Sequence, residues 1–166
     1  MTGSRLDRFV AAQADPAAGF DAALMEIRTG RKRGHWIWYV FPQASGLGTS
    51  GASQLYGIDS VAEAVAYLQH PVLGPRLITI ANAVADHLER GARLETIMGS
   101  SIDARKLVSS LTLFGAVASE LAKTEARDEW IELARVCDEI LAAAAHQGYP
   151  PCRHTLTRLQ RGDASA

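Results

Sequence analysis

Arg28, Arg31, Lys32 and Arg33 fall in a window with no acid between Glu26 and Asp59. Arginine grips phosphate or carboxylate oxygens through two parallel N–H bonds, so such a cluster reads as an anion site. The same residues also read as the solvated end of a helix. Downstream come Trp36, Trp38 and Tyr39, then the glycine- and serine-rich stretch from Ala44 to Ala52. Backbone N–H groups and hydroxyls of such a loop can cradle an anion. The candidate ligand set is therefore Arg31, Arg33, His35, Trp36, Gln43, Ser50, Ser53 and Tyr56. Arg31 and Arg33 would make the direct oxygen contacts, Ser50 and Ser53 would donate hydroxyls, and Trp36 or Tyr56 would form a wall. Lys32 need not join them, because adjacent residues project in different directions. His35 is the candidate catalytic base, since imidazole exchanges protons near neutral pH. As a lone histidine it also has a purely structural reading.

Other chemistry-bearing residues give weaker patterns. Lys106, Ser109 and Ser110 lie within about one helical turn. They could form a nucleophile and its base, which needs a desolvated lysine and an exposed serine, or simply a polar helix edge. Glu125, Asp128, Glu129 and Glu132 sit near a helix start, where the dipole favours acids, and read as a solvated face. His70 before Pro71 reads as a cap or turn residue. His87, His146 and His154 show no metal-ligand spacing with one another or with Cys137 and Cys152, so no metal is expected. Gly46-Leu47-Gly48-Thr49-Ser50-Gly51 matches the G-x-G-x-x-G dinucleotide pattern. That site needs a preceding strand and a crossover helix. The span between Gly51 and Gly57 is too short for the helix, so no cofactor is expected.

Several exact runs carry a family resemblance. They are Gly30-Arg31-Lys32-Arg33, the run from His35 to Gln43, Gly46-Leu47-Gly48, the run from Ala66 to Leu77, the run from Lys106 to Phe114, and Thr155-Leu156. Together they resemble domain-of-unknown-function family 1810, small bacterial proteins sometimes mislabelled calpastatin-like. The resemblance covers roughly residues 5 to 160. It implies a mainly helical single domain and supplies neither a reaction nor a catalytic residue. One departure stands out: the family's ending would be acid-x-Arg-Thr-Leu, whereas Cys152, Arg153 and His154 precede Thr155-Leu156 here.

Composition sets outer bounds. A chain of 166 residues with 48% hydrophobic and 21% charged content suits one globular domain. The net charge of −1 gives no global attraction to nucleic acid or anionic membrane. Two cysteines make no disulfide frame. No apolar run reaches the length of a membrane span, and no signal sequence is visible, so a cytoplasmic setting is expected.

The elements that must position these residues are helical. Phe20, Ala23, Leu24 and Ile27 repeat at helical spacing after Asp15-Pro16, which reads as an N-cap and first helical residue. Gly30 stops that helix. The run from Trp36 to Phe41 has strand propensity but no partner strand, and is assigned as helix or irregular structure. Ala44 to Ala52 reads as loop. Ser60 and Glu63 form a capping box for a helix ending at His70. Further helices are predicted from about Leu73 or Pro75 to Gly91, over Leu94 to Met98, and from a Ser101 cap through Leu121. Another is predicted from Trp130 to beyond Ala144, with a closing turn or two over His154 to Gln160. The sum is an all-α single domain of about seven to nine helices over residues 1–166, with a core at about 5–160 and a frayed C-terminal tail.

Two function classes follow. One is binding of, or action on, a small phosphorylated or anionic metabolite, a nucleotide among the candidates. The other is an interaction domain that meets an acidic protein partner. A membrane partner is not expected, and nucleic acid is disfavoured because no RNA-binding module appears. A deep pocket bordered by residues 31–56 favours the first class; a flat exposed aromatic patch favours the second.

Overall fold

The helix Ser101–Thr124 is the axis on which the other elements pack (α8). Its residues Ala104, Leu107, Val108, Leu111, Phe114, Val117, Ala118 and Leu121 recur at helical spacing, and all are buried. The computed structural model describes residues 4–162, and the expected C-terminal fraying falls partly outside them. Among the described residues there are ten helices. Before α8 come α1 (Asp7–Gln13), α2 (Phe20–Arg28), α3 (Ile37–Val40), α4 (Gly51–Tyr56), α5 (Val61–Gln69), α6 (Leu73–Glu89) and α7 (Leu94–Met98). After it come α9 (Asp128–His146) and α10 (Arg153–Gln160). The expected all-α architecture is present, with α4 as the element the loop composition concealed. The run from Trp36 to Phe41 contains the single turn α3 and no strand. The one β-type pairing among the described residues is an isolated parallel bridge between Ala44 and Ile58.

The α8–α9 contact is the most extensive in the fold, with α6 on the other side of α9. The two helices meet closely at Gly115, where a Cβ would lie 2.9 Å from the Cys137 Cβ. Cys137 is a core residue, and burial together with the Asp138 charge pushes its thiol up to about 12. A buried amide ties the other half together. Gln13 donates to the Tyr39 carbonyl at 2.7 Å and to the Tyr67 hydroxyl at 3.0 Å, and accepts from Arg76 at 3.3 Å. It thereby joins α1, α3, α5 and α6. Every polar atom on that amide can be satisfied, which is what makes its burial tolerable.

Local signals set most helix ends. Ser60 accepts from the Glu63 amide at 3.0 Å, as the capping box requires. His70 Nδ1 accepts from the amides of Val72 and Leu73 at the start of α6. Two boundaries differ from expectation. Asp15 accepts from the amides of Ala17 and Ala18, so its cap serves a short turn, and α2 begins only after extended Gly19. The cap of α8 is Ser100, which accepts from the Asp103 amide at 3.1 Å; Ser101 is the first helical residue.

Phe114 is fully buried and its ring centroid lies 5.1 Å from that of Tyr67. Replacing it with alanine is predicted to cost about 3–5 kcal/mol, from lost burial plus the cavity left behind. A denaturant titration of Phe114→Ala checks this; an unchanged midpoint would contradict the packing.

Candidate functional site between the glycine-serine loop and helix α8

Of the basic segment, Lys32 alone is paired with an acid brought from elsewhere in the chain. Lys32 is buried, its Nζ 2.8 Å from an Asp103 oxygen on α8 and 4.9 Å from the Trp36 ring centroid. It also donates to the Gly34 carbonyl. Its backbone amide donates to the Ile97 carbonyl at 2.7 Å, at the end of α7. The next turn must pass close by. Gly99 has φ +80°, and a Cβ there would sit 2.6 Å from the Lys32 carbonyl oxygen. A side chain is excluded at that point on both counts.

Glu26 organises the other side of the same segment. One carboxylate oxygen accepts from the Arg33 amide at 2.8 Å, the Gly34 amide at 3.0 Å and the Trp36 indole at 2.8 Å. Burial pushes the Glu26 carboxyl up, but these hydrogen bonds and the Lys32 charge outweigh it, and the net shift is downward. Trp36, expected as a ligand wall, is instead fully buried with its N–H committed to Glu26. Arg31, Arg33 and His35 are exposed and do not line the cavity beside α8 described below. Tyr56 packs between Phe9 and Tyr39, at ring distances of 5.9 and 5.2 Å.

The glycine-serine loop is closed at its base. Ser45 N donates to the Ile58 carbonyl and Ile58 N to the Gln43 carbonyl, each at 2.9 Å. Helix α10 clamps the closure from outside. His154 Nε2 and Arg158 Nη1 both donate to the Ser45 carbonyl, at 2.9 and 2.7 Å, and Arg158 Nη2 donates to the Asp59 carbonyl at 2.7 Å. A compact loop with its ends held together is a common carrier of function. Within it, Ser50 caps α4 by accepting from the Ser53 amide at 3.1 Å.

A cavity of about 440 Å³ opens between this loop, α8 and the segment leading into α10. Gln43, Gly48 and Ser53 face it from the loop, Arg105, Lys106 and Ser109 from α8, and Tyr149 and Cys152 from beyond α9. The rest of its wall is apolar, with Leu47, Ile102, Val108 and Pro150. Of the expected ligand set, Gln43 and Ser53 are brought together here. Lys106 and Ser109 also face the cavity, while Ser110 points into the interior with its hydroxyl unpartnered among the described residues. Lys106 Nζ lies 4.6 Å from the Trp38 ring centroid and 3.7 Å from Asp103. Arg105 makes no ion pair among the described residues. The arrangement presents two cations, amide and hydroxyl donors, and an apolar bed: a site suited to an anionic head on a small organic body.

Cys152 is the N-cap residue of α10, at the position where the resemblance calls for an acid. Burial pushes its thiol up. The Ser109 and Thr155 hydroxyls and the backbone N–H groups of Thr155 and His154 outweigh that, and the net shift is downward. Arg105, Tyr149 and Cys152 had no sequence signal tying them to the loop, because they lie 50 to 100 positions away. The Lys106–Ser109 spacing and the departure at Cys152 were the hints the chain carried.

No group of three or more His, Cys, Asp or Glu side chains able to hold a metal occurs among the described residues. No described helix is long and apolar enough to cross a membrane. A family model described as "Protein of unknown function (DUF1810)" matches residues 3–135. The conserved hypothetical protein Rv1873 from Mycobacterium tuberculosis, solved by crystallography, is 39% identical. That match covers 92% of this chain and 94% of the other, with a TM-score of 0.71. No curated protein matches.

The downward shift at Glu26 fixes the sign of a pH effect. A carboxyl that holds its proton less tightly when folded stabilises the fold above its ordinary value of about 4.3, and loses that contribution as pH falls. Glu26→Gln is predicted to cost about 1–3 kcal/mol at neutral pH. The gap between wild type and variant should shrink as pH falls below about 4. Urea titrations at neutral and acidic pH check this; a gap that stays constant would contradict the role given to Glu26.

Proposed function

This chain belongs to the DUF1810 family, whose description carries no activity, and from its own cavity we propose that it binds a small anionic metabolite. The observation that carries the reading is the convergence of Arg105 and Lys106 with Gln43, Gly48 and Ser53 around an open cavity of about 440 Å³. The cations would take a carboxylate or phosphate, with the loop donors completing its coordination. Leu47, Ile102 and Val108 would hold the apolar body. The volume suits a metabolite of modest size. A cytoplasmic setting fits this reading, since Cys152 is a free thiol and thiols stay reduced there.

A second reading keeps a specific support. Arg31, Arg33 and His35 form an exposed basic edge with no side-chain partner among the described residues. An acidic protein could dock there. That edge is not aromatic, because Trp36 is buried, so the cavity is the stronger candidate.

A thermal-shift screen of carboxylates, sugar phosphates and nucleotides tests the proposal. The hit's stabilisation should fall on Arg105→Ala or Lys106→Ala, each weakening affinity by about ten- to a hundredfold. It should survive Arg31→Ala and Arg33→Ala. The reverse pattern would move the anion to the exposed edge.

A further inference from the structure

The geometry points to a second ligand site, behind the clamp on the glycine-serine loop, that takes a small aliphatic carboxylate. It does not rest on the anion-binding reading above. A cavity of about 420 Å³ lies between α10, the start of α5 and the middle of α8. It shares no lining residue with the cavity beside Gln43 and Arg105. Helix α10 turns one face to it, with His154, Thr155, Arg158, Leu159 and Arg161 at helical spacing.

The first support is a buried hydroxyl. Thr155 is fully buried and lines this cavity, and its Oγ1 has no hydrogen-bond partner among the described residues. The Cys152 sulfur feels the dipole of that hydroxyl but does not meet it in hydrogen-bonding geometry. An unpaired buried O–H costs free energy, and a bound acceptor removes that cost. A purely apolar ligand would leave the hydroxyl orphaned. The site therefore calls for an oxygen acceptor beside Thr155.

The second support is uncompensated charge. Arg158 Nη1 and Nη2 donate to the carbonyls of Ser45 and Asp59, which are neutral acceptors. Neither Arg158 nor Arg161 has an acid partner among the described residues, and no acid lines the cavity. The Asp59 carboxylate is already taken up by Arg5 and Ser45. A guanidinium carries five N–H donors, so Arg158 keeps donors to spare after binding both carbonyls. Thr155 and Arg158 are three residues apart on α10 and so are neighbours on its surface. A carboxylate placed there accepts from both, with Arg161 adding charge at the mouth. The remaining wall is aliphatic, from Ala44, Ile58, Leu113 and Leu159. It suits a short hydrocarbon chain and offers nothing to a sugar or a second charge.

The test titrates the full chain with hexanoate and with 1-hexanol, which has the same chain without the charge, followed by backbone amide and methyl NMR. Hexanoate is expected to give saturable shifts at Ile58, Leu113, Thr155 and Leu159, and 1-hexanol to bind about tenfold more weakly. Arg161→Ala should weaken hexanoate by roughly three- to tenfold. Thr155→Val keeps the side-chain shape and removes the hydroxyl. It should weaken hexanoate by about tenfold, while the thermal midpoint of the ligand-free protein holds or rises, because no partner within the fold is lost. Arg105→Ala should leave hexanoate binding unchanged. The inference is overturned if hexanoate gives no saturable shifts, or shifts confined to Ser53, Arg105 and Tyr149. It is equally overturned if 1-hexanol binds as tightly, or if Thr155→Val leaves the affinity unchanged or lowers the ligand-free midpoint.

Discussion

The structure depends on one buried cation. Lys32 lies inside the fold, paired with Asp103 at 2.8 Å and facing the Trp36 ring. A buried charge is tolerated only when paired and hydrogen-bonded, and leaving its partner alone is strongly destabilising. This pair locks the segment after α2 onto the first turn of α8. The close approach of Gly99 to the Lys32 carbonyl makes the same junction sterically specific. Glu26 then gathers the amides of Arg33 and Gly34 and the Trp36 indole. With that segment fixed, α3 and the glycine-serine loop are launched in one direction only, toward the cavity side of α8.

The candidate site is assembled from three distant parts of the chain. The loop is closed by backbone bonds between its ends and held by His154 and Arg158 of α10. Helix α8 supplies Arg105 and Lys106 one turn beyond its cap. The segment before α10 supplies Cys152, whose backbone amide donates to the Thr112 hydroxyl on α8 at 3.2 Å. That bond anchors the thiol's segment to the same helix that carries the cations. The site is therefore held by rigid elements on two sides and by a clamped loop on the third, which is the arrangement that keeps polar groups convergent before a ligand arrives.

Much of the fold was legible in the sequence because its signals are local. The apolar spacing of α2, α6, α8 and α9, the Ser60–Glu63 cap and the Gly30 stop all act within a turn or two. The turn at Asp15 and the cap at Ser100 were displaced because several residues nearby can each cap, and tertiary packing chooses among them. The short helix α4 was hidden by a composition that favours loops, and only its Ser50 cap betrays it. The site was less legible. Counting charge along the chain made the segment from Arg28 to Arg33 look strongly basic. In space, Asp103 and Glu26 meet that segment, and Lys32 is removed from the surface altogether. Conversely, Lys106, Ser109 and Ser110 read as a polar helix edge or a nucleophile with its base, and Arg105 gave no signal, whereas in space Arg105, Lys106 and Ser109 face the loop and Cys152 across one cavity. Linear spacing carries helix faces well, but not the meeting of segments 50 or 100 residues apart.

The central claim is that the Arg31–Arg33 segment serves the fold while the anion chemistry lies at Arg105 and Lys106. Its most direct test is a phosphate titration followed by backbone amide NMR. The account predicts saturable shifts at Gly48, Ser53, Arg105 and Lys106, with Arg31, Arg33 and His35 little changed. Saturable shifts confined to Arg31, Arg33 and His35, with the cavity amides still, would contradict it.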